Sequence, residues 1–225
     1  MVVDFHSHIL PGIDHGSDSI KTSLRQIALA SRFGIKNLVA TSHFYPHSRI
    51  TGSFIERREL AYKELIDNMC SSNIRVLLGA EILICNAIDK LEFIDKLCIR
   101  GTNVLLLELP FSDFQIDFCR SIYNLVSSGY KVVMAHAERY DRDWISETIE
   151  AGAKLQVNAS ALSLFNIRRV STWLEDGSVV AIGSDIHGVN SSAYRKFVSA
   201  AKKVERYNQI KEFSNYIISC MGKTL

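Results

Sequence analysis

The chain opens with three polar side chains that share one face of a strand. In "MVVDFHSHIL", Asp4, His6 and His8 stand on alternate residues of an apolar run. A β-strand sends residues i, i+2 and i+4 to the same face, so one carboxylate and two imidazoles point the same way. Imidazoles and carboxylates are ligands for Zn²⁺, Mn²⁺ and Fe²⁺. The spacing therefore raises the hypothesis of a metal site.

Seven more histidine and acidic residues each lie at or just after the carboxyl end of an apolar run, most of them after a different run. They are Asp14 in "PGIDHG", His43 after "VATS", Glu81, Glu108, His136, and Asp185 with His187 after "AIGS". Each has an ordinary alternative: a lone histidine is more often a hydrogen-bonded core or surface residue, and an acid can cap a helix. Chance placement of the whole set is a poor explanation. Several buried carboxylates without cations would also be costly.

The set with His6 and His8 exceeds what one ion coordinates, so two or three ions that share bridging carboxylates are indicated. Donors from histidine and acids without cysteine suit Zn²⁺, Mn²⁺ or Fe²⁺, and the richness in carboxylates favours a harder ion such as Mn²⁺. Such centres generate a nucleophile from water near neutral pH and hold the attacking and leaving oxygens in phosphoryl transfer. The chemistry predicted is hydrolysis at a polynuclear metal centre.

Seven short apolar runs predict buried strands, and helix-like stretches lie between most of them. Alternating βα units imply a parallel sheet, and seven of them favour a closed or nearly closed barrel over a doubly wound open sheet. Active sites of βα barrels lie at the carboxyl ends of the strands, where the donors fall. The predicted strands are 2–6, 37–41, 75–81, 104–109, 131–136, 154–158 and 179–183, and the predicted helices are 18–33, 53–72, 113–128, 141–152, 163–175 and a tail over 191–221.

Composition bounds the class of protein. The 225 residues fit a single α/β domain, taken here as 1–225, and 47% hydrophobic residues supply a large core. A net charge of +2 without basic clusters gives no case for nucleic acid or a membrane surface. Five scattered cysteines without a CxxC pair favour reduced thiols, and we expect a cytoplasmic protein without signal peptide or membrane insertion. The cysteine phosphatase loop C-x5-R is absent.

The motifs "DFHSH", "PGIDHG", "ATSH", "GAE", "ELP", "AHAER" and "GSDIH" resemble the polymerase-and-histidinol-phosphatase (PHP) superfamily. More narrowly, "HSHILPGID", "AHAER" and "SDIH" resemble the bacterial manganese-dependent tyrosine phosphatases of capsular and exopolysaccharide loci, the CpsB/CapC/YwqE type. The resemblance implies a distorted (β/α)7 TIM-like barrel with three divalent ions, expected to be Mn²⁺ with Fe²⁺, Zn²⁺ and Mg²⁺ as alternatives. It also implies a substrate, a phosphotyrosine protein such as the C-terminal tail of a bacterial tyrosine kinase.

Carried over residue by residue, the resemblance assigns each donor to an ion. His6, His8, Glu81 and Asp185 would hold the first ion; Glu81 would bridge to a second shared with Glu108 and His136; Asp14, His43 and His187 would hold the third. Asp4 would orient a ligand imidazole.

The resemblance also assigns Arg139 in "HAER" as the phosphate-clamping arginine, and we count Asp14 and His43 with it as catalytic. The alternative for Arg139 is a surface ion pair with Glu138 or Asp141. Relatives often carry a second acid where this chain has His15, which is either an alternative ligand or, in the interpretation we favour, a solvated loop residue. Relatives also often have an arginine shortly after "SDxH", and here Arg195 comes later, on a helix.

The loop "HFYPHS" adds Phe44, Tyr45 and His47, which either form an aromatic wall for a phosphotyrosine ring or pack among themselves. Three functions remain. The first is a metal-dependent tyrosine phosphatase, and the second is a histidinol-phosphatase-like or other small-molecule phosphoesterase. The third is an inactive metal-bound scaffold, which would require a broken ligand set. A homo-oligomer is left open, since some relatives form rings.

Overall fold

Parallel strands and helices alternate along the computed structural model, which describes residues 2–46, 51–69, 73–110, 118–163 and 167–220. All the described strand pairs are parallel, as the alternating pattern predicts. The strands are β1 Asp4–His8, β2 Asn37–Ala40, β3 His43–Phe44, β4 Arg75–Leu78, β5 Glu81–Leu83, β6 Val104–Glu108, β7 Lys131–Met134, β8 Lys154–Asn158, β9 Val179–Gly183 and β10 Ile186–His187.

Several of these short strands are halves of one kinked strand. β2 pairs with β4 and β3 with β5, and the ladder continues between them because Gly79 N donates to Ala40 O over 2.8 Å and Glu81 N to Ser42 O over 3.1 Å. β9 and β10 both pair with β1. The segments 37–44, 75–83 and 179–187 are therefore three kinked strands, and the prediction of one continuous strand over 75–81 misses the kink at Gly79.

The pairing order is β3-β5-β6-β7-β8-β9-β1-β2-β4. The two ends of this path belong to the same two kinked strands, 37–44 and 75–83, which also pair with each other. The sheet therefore curls back on itself as a distorted seven-stranded barrel. This confirms the predicted α/β fold of the (β/α)7 type.

Helices cover the outside of the sheet largely where the pattern predicts them. They are α1 Ile20–Arg32, α2 Thr51–Asn68, α3 Phe118–Ser127, α4 Arg142–Glu150, α5 Ile167–Glu175, α6 Ser191–Val204 and α7 Asn208–Cys220. The predicted tail helix is two helices, and the segment 83–103 contains two short 3₁₀ helices, Ile88–Lys90 and Ile94–Leu97. The predicted helical residues 70–72, 113–117, 164–166 and 221 lie outside the described residues.

Side chains from six strands meet in a small apolar cluster that includes Phe5, Val39, Leu106 and Val133. Ile217 of α7 joins them. Val3 N, just before β1, donates to Ser214 Oγ on α7 over 3.4 Å. Helix α7 thus covers the amino ends of the strands and leaves the carboxyl ends for the site. None of the described helices is long and apolar enough to cross a membrane.

Candidate metal centre

The carboxyl ends of the strands surround a cavity of about 580 Å³. Six of the nine predicted ligands line it: His43, Glu81, Glu108, His136, Asp185 and His187. His6 and His8, on β1, are fully buried at 0% exposure and contact this set from below. The structure therefore brings donors from six different strand ends to one place, as the position of each in the sequence predicts.

Four donor atoms converge as the set predicted for the first ion. His6 Nε2 and His8 Nε2 lie 3.1 Å apart. Glu81 Oε2 lies 3.2 and 3.3 Å from these two nitrogens, and Asp185 Oδ1 lies 3.7 and 3.5 Å from them. Ligand atoms that share an ion at about 2.1 Å are separated by about 3.0–3.5 Å. The spacing of the His6, His8 and Glu81 atoms suits a single ion, and Asp185 Oδ1 lies slightly farther from His6 than this range.

Glu81 presents its other oxygen to a second group of donors. Glu81 Oε1 lies 2.8 Å from His136 Nε2, which lies 3.4 Å from Glu108 Oε1. His43 Nδ1 lies 2.9 Å from Glu81 Oε2 and 3.8 Å from Glu108 Oε2. A carboxylate with one oxygen toward each group has the arrangement of a bridge. His43 contacts Glu81 through Oε2, the oxygen that faces the first set, and also lies near Glu108, so it stands between the two groups and not only in the predicted third set.

A third group consists of His8, His43 and His187, whose donor atoms lie within 4.8 Å of one another. Asp14, predicted to belong here, has its oxygens engaged. Its Oδ2 accepts from His8 Nδ1 over 2.9 Å and from His43 N over 3.1 Å, and its Oδ1 accepts from Gly16 N over 2.9 Å. Asp14 thus holds two donor-bearing residues in place, and its role as a ligand stays a prediction.

Several buried donor atoms of the cluster have no hydrogen-bond partner. They are His43 Nδ1, Glu81 Oε2, His136 Nδ1 and His187 Nε2. Buried polar atoms without partners are costly, and native proteins rarely leave them so. His43 Nδ1 and Glu81 Oε2 even lie 2.9 Å apart without forming a hydrogen bond. Divalent cations would satisfy His43 Nδ1, Glu81 Oε2 and His187 Nε2, so these residues fit a metal centre. His136 meets Glu81 and Glu108 through its other nitrogen, Nε2.

The charges of the cluster point the same way. Burial raises the pKa of Glu81, but the surrounding imidazoles, His6 foremost, outweigh burial and hold the pKa well below its usual range. Burial lowers the pKa of His136, yet hydrogen bonds to Glu108 and Glu81 raise it to about 9. The carboxylates thus draw protons onto neighbouring imidazoles, and a bound divalent cation would take the place of such protons.

Two of the predicted ligands have strained backbones. His136 has φ +33° and Asp185 has φ +50°, in the left-handed region that residues other than glycine seldom adopt. Each such residue costs about 1–3 kcal/mol and persists where its surroundings fix it, commonly at functional sites. Asp185 N donates to His6 O over 2.9 Å, and His136 N donates to Gln156 Oε1 over 2.8 Å. These bonds tie both strained residues to the cluster.

Arg139 lies at the edge of the cavity, where its guanidinium donates through Nη2 to Asp185 Oδ2. Its side chain remains 41% exposed. The surface alternatives are occupied otherwise: Glu138 Oε2 accepts from Asn158 N, and Asp141 caps α4 by accepting from Asp143 N. Arg139 is therefore directed to the cavity, as its predicted role requires.

The aromatic residues of the segment "HFYPHS" differ in their surroundings: one lines the cavity and another packs in the core. Tyr45 lines the cavity, with its ring 5.5 Å from that of His43 and nearly parallel to it. Of the two alternatives, the cavity wall does not hold for Phe44, which is buried and packs on Phe54 at 5.0 Å between ring centroids, because β3 directs alternate side chains to opposite faces. His47 lies outside the described residues.

In the described part of the chain, Asp4 has no hydrogen bond to an imidazole, so the prediction that it orients one is not met. Its buried Oδ1 accepts from Ser184 N over 2.7 Å and so fixes the turn that presents Asp185. His15 is solvent-exposed, as predicted, but its ring also lies 4.4 Å from that of His187 and lines the cavity. Arg195 is exposed on α6 and does not line the cavity.

The sequence analysis overlooks one residue of the site, Gln156. It is fully buried on β8, and its Oε1 lies 3.0 Å from His6 Nδ1. The available signal was a second polar residue two positions before Asn158 in the apolar run "KLQVN". Alternate residues of a strand share a face, so both amides point at the same neighbours.

The solved structures that resemble this chain include those of YwqE from Bacillus subtilis and CpsB from Streptococcus pneumoniae, described as unique metal-dependent tyrosine phosphatases. The match has a TM-score of 0.75 at 22% identity and covers 99% of this chain and 95% of the other. A histidinol phosphate phosphatase from Lactococcus lactis, solved with zinc, L-histidinol and phosphate, matches with a TM-score of 0.56 at 14% identity over 91% of this chain and 94% of the other. These likenesses show a shared fold.

Sequence relatives agree with that fold. The tyrosine-protein phosphatase CpsB of Streptococcus pneumoniae is 28% identical over 211 residues, 84% of each chain. CapC of Staphylococcus aureus is 29% identical over 231 residues, which cover 96% of this chain and 88% of that one. The family model for capsular polysaccharide synthesis, CpsB/CapC, matches residues 2–221. The chain therefore belongs to the CpsB/CapC family.

Proposed function

We propose that this protein is a metal-dependent protein-tyrosine phosphatase that hydrolyses phosphotyrosine on a protein of capsular or exopolysaccharide synthesis. The observation that carries the proposal is the convergence of buried carboxylates and imidazoles, with Arg139 beside them, around one open cavity. Relatives named tyrosine-protein phosphatases support the choice of substrate. The partner proposed is the phosphorylated tail of a bacterial tyrosine kinase, met in the cytoplasm.

The donors would hold three divalent cations, for which Mn²⁺ is proposed. The first set is His6, His8, Glu81 and Asp185; the second is Glu81, Glu108 and His136, with His43 close to it; and the third is Asp14, His43 and His187. When bound, such cations supply Lewis acidity and a nucleophile derived from water near neutral pH.

Arg139 would bind the phosphate. Its exposed guanidinium can turn a planar fork of donors toward the non-bridging oxygens and the charge that develops on them. Glu81, Glu108 and Asp185 bring three carboxylates into one buried cluster. Bound divalent cations would offset this concentration of acidic groups, so the proposal predicts that activity depends on metal. Asp14 would hold the imidazole of His8 and the backbone of His43 in register, as its hydrogen bonds do here.

An apolar part of the cavity suits an aromatic ring. Tyr45, Leu83 and Pro110 line the cavity together with the polar donors. Tyr45 is 46% exposed, so its ring is available to a ligand. Stacking against an aromatic ring contributes roughly 0.5–1.5 kcal/mol beyond burial of area. This wall favours an aryl phosphate over a phosphorylated alkyl alcohol.

None of the described residues that line the cavity is a cysteine. The test is hydrolysis of p-nitrophenyl phosphate and of a phosphotyrosyl peptide by protein loaded with Mn²⁺. We expect turnover that a chelator abolishes and that thiol alkylation leaves unchanged. Activity that survives chelation and is lost on alkylation would refute the proposal. A kcat/KM for histidinol phosphate above that for the peptide would favour the small-molecule phosphoesterase instead.

A further inference from the structure

The carboxamide of Gln156 lies directly beneath the proposed first metal set. The side chain is fully buried, and its Oε1 contacts two residues of the site: His6 Nδ1 lies 3.0 Å away and His136 N lies 2.8 Å away. One amide oxygen thus joins the imidazole of one proposed ligand to the strained backbone of another.

The bond to His136 fixes which way the amide points. A backbone N–H can only donate, so the atom of Gln156 that faces His136 must be the oxygen. His6 Nδ1 faces the same oxygen and must therefore carry the proton. This tautomer leaves the lone pair of His6 on Nε2, which faces Glu81 and Asp185.

The amide nitrogen of Gln156 begins a series of hydrogen bonds that leads through Asn158 to Asp185. Gln156 Nε2 donates to Asn158 Oδ1 over 3.0 Å, and Asn158 Nδ2 donates to Asp185 Oδ2 over 2.9 Å. Asp185 Oδ2 also accepts from Arg139, so its Oδ1 is the oxygen turned toward His6 and His8. Exchanging the amide oxygen and nitrogen of Gln156 alone would place its oxygen against Asn158 Oδ1. The same exchange in Asn158 would place its oxygen against Asp185 Oδ2, so both orientations are fixed.

A glycine makes room for this chain. A Cβ at Gly183 would lie 2.5 Å from His6 Cβ and 2.9 Å from Gln156 Nε2, both too close for a real contact. The absence of a side chain at this residue of β9 lets β1 and β8 bring the imidazole and the amide together.

We propose that Gln156 and Asn158 are positioning residues that set the tautomer of His6 and the orientation of Asp185 for the first metal ion. The inference rests on the proposed metal centre and deepens it. Hydrogen bonds from a ligand imidazole to an outer group fix ring orientation, and their loss typically costs about 10- to 100-fold in metal affinity. Gln156 supplies such a bond and, through Asn158, controls a second ligand.

The test uses the zinc-loaded full-length chain, since zinc is diamagnetic and allows NMR of the histidine rings. In the wild type we expect His6 to coordinate through Nε2 and to show a slowly exchanging Nδ1 proton. Gln156→Leu removes the acceptor, and we expect fast exchange or coordination through Nδ1, with zinc affinity lowered about 10- to 100-fold. Wild-type affinity together with an unchanged His6 signal in this variant would overturn the proposal.

Gln156→Glu distinguishes the hydrogen bond to His6 from the hydrogen bonds that lead through Asn158 to Asp185. It also replaces the leucine variant as the test if that variant does not fold. A carboxylate still accepts from His6 and His136, so the Nδ1 proton of His6 should be retained. Its second oxygen faces Asn158 Oδ1, an acceptor, so zinc affinity should fall through the Asp185 end. Loss of the His6 proton signal, or wild-type zinc affinity, in the glutamate variant contradicts the proposal.

Gln26→Leu is the matched control. Gln26 is also fully buried and donates from Nε2 to the backbone oxygen of His8, over 3.2 Å, without touching an imidazole in the described contacts. We expect it to lose stability and to keep the His6 signal. Wild-type protein that binds zinc but hydrolyses no phosphoester would refute the proposed function and leave the positioning role intact.

Discussion

Arg139 and Asp185 form an ion pair at the edge of the cavity, in which the arginine engages the carboxylate oxygen that faces away from His6 and His8. The guanidinium therefore lies beside the proposed metal set without occupying it. The two functions of this corner, metal binding and phosphate binding, should be separable by substitution.

Arg139→Ala should lose rate and retain metal. The Oδ1 atom of Asp185 stays in place because Asn158 still binds Oδ2, so the metal content should equal that of the wild type. Loss of one donor to the developing charge commonly lowers kcat by about 10²–10³-fold. Steady-state kinetics with p-nitrophenyl phosphate and elemental analysis check this. Arg139→Lys keeps a positive charge but lacks the planar pair of donors, so its kcat should lie between those of the wild type and the alanine variant. Normal turnover of the alanine variant would remove Arg139 from the mechanism.

His136→Ala should lose metal and activity together, in contrast to Arg139→Ala. Its Nε2 lies 2.8 Å from Glu81 Oε1 and 3.4 Å from Glu108 Oε1, so its removal opens the second set and leaves two acids without their partner. Metal analysis after gel filtration and the same kinetic assay are the measurements. A variant that keeps its full metal content would show that His136 is not a ligand.

Gly183→Ala should destabilise the protein and weaken metal binding. The new methyl group would press on His6 Cβ at 2.5 Å, and overpacking of this kind costs about 1–3 kcal/mol. Urea unfolding and zinc titration measure the two effects. Gly79→Ala is the control, because its nearest contact would be a valine methyl at 3.2 Å. Equal effects on zinc affinity in both variants would argue against a specific close approach at Gly183.

Tyr45→Ala should reduce the preference for aryl phosphates. Without the ring, we expect kcat/KM for a phosphotyrosyl peptide to fall about 2- to 10-fold, while kcat/KM for a phosphoseryl peptide changes little. Tyr123→Ala, on α3 and 61% exposed, is the control for loss of an exposed tyrosine. If both peptides lose the same factor, Tyr45 does not recognise the aromatic ring.

Much of this site could be predicted because its histidine and acidic residues directly follow the apolar runs that form the strands. Apolar runs that end in His, Glu or Asp indicate both the parallel barrel and the candidate donors. The family resemblance is confirmed, and the assignment of the donors to ions that it implies stays a proposal. Gln156 escaped because a buried glutamine in a strand carries no metal-ligand signal of its own. Its meaning comes from β1 and β9, which lie close only in the folded barrel.

Other differences also arise from tertiary structure. The kink at Gly79 divides a strand that the apolar pattern makes continuous. The part before the kink, β4, pairs with β2, and the part after it, β5, also pairs with β6. The role of Asp4 depends on the amide of Ser184, which is 180 residues away along the chain. The placement of His43 near Glu81 and Glu108 reflects the pairing of β3 with β5.

Anomalous diffraction at the manganese edge, from crystals of the full chain grown with Mn²⁺, tests the central claim most directly. We predict peaks at the carboxyl ends of the strands, one of them enclosed by His6, His8, Glu81 and Asp185 and another beside Glu81 and Glu108. A barrel mouth without anomalous density at saturating Mn²⁺ would contradict the account.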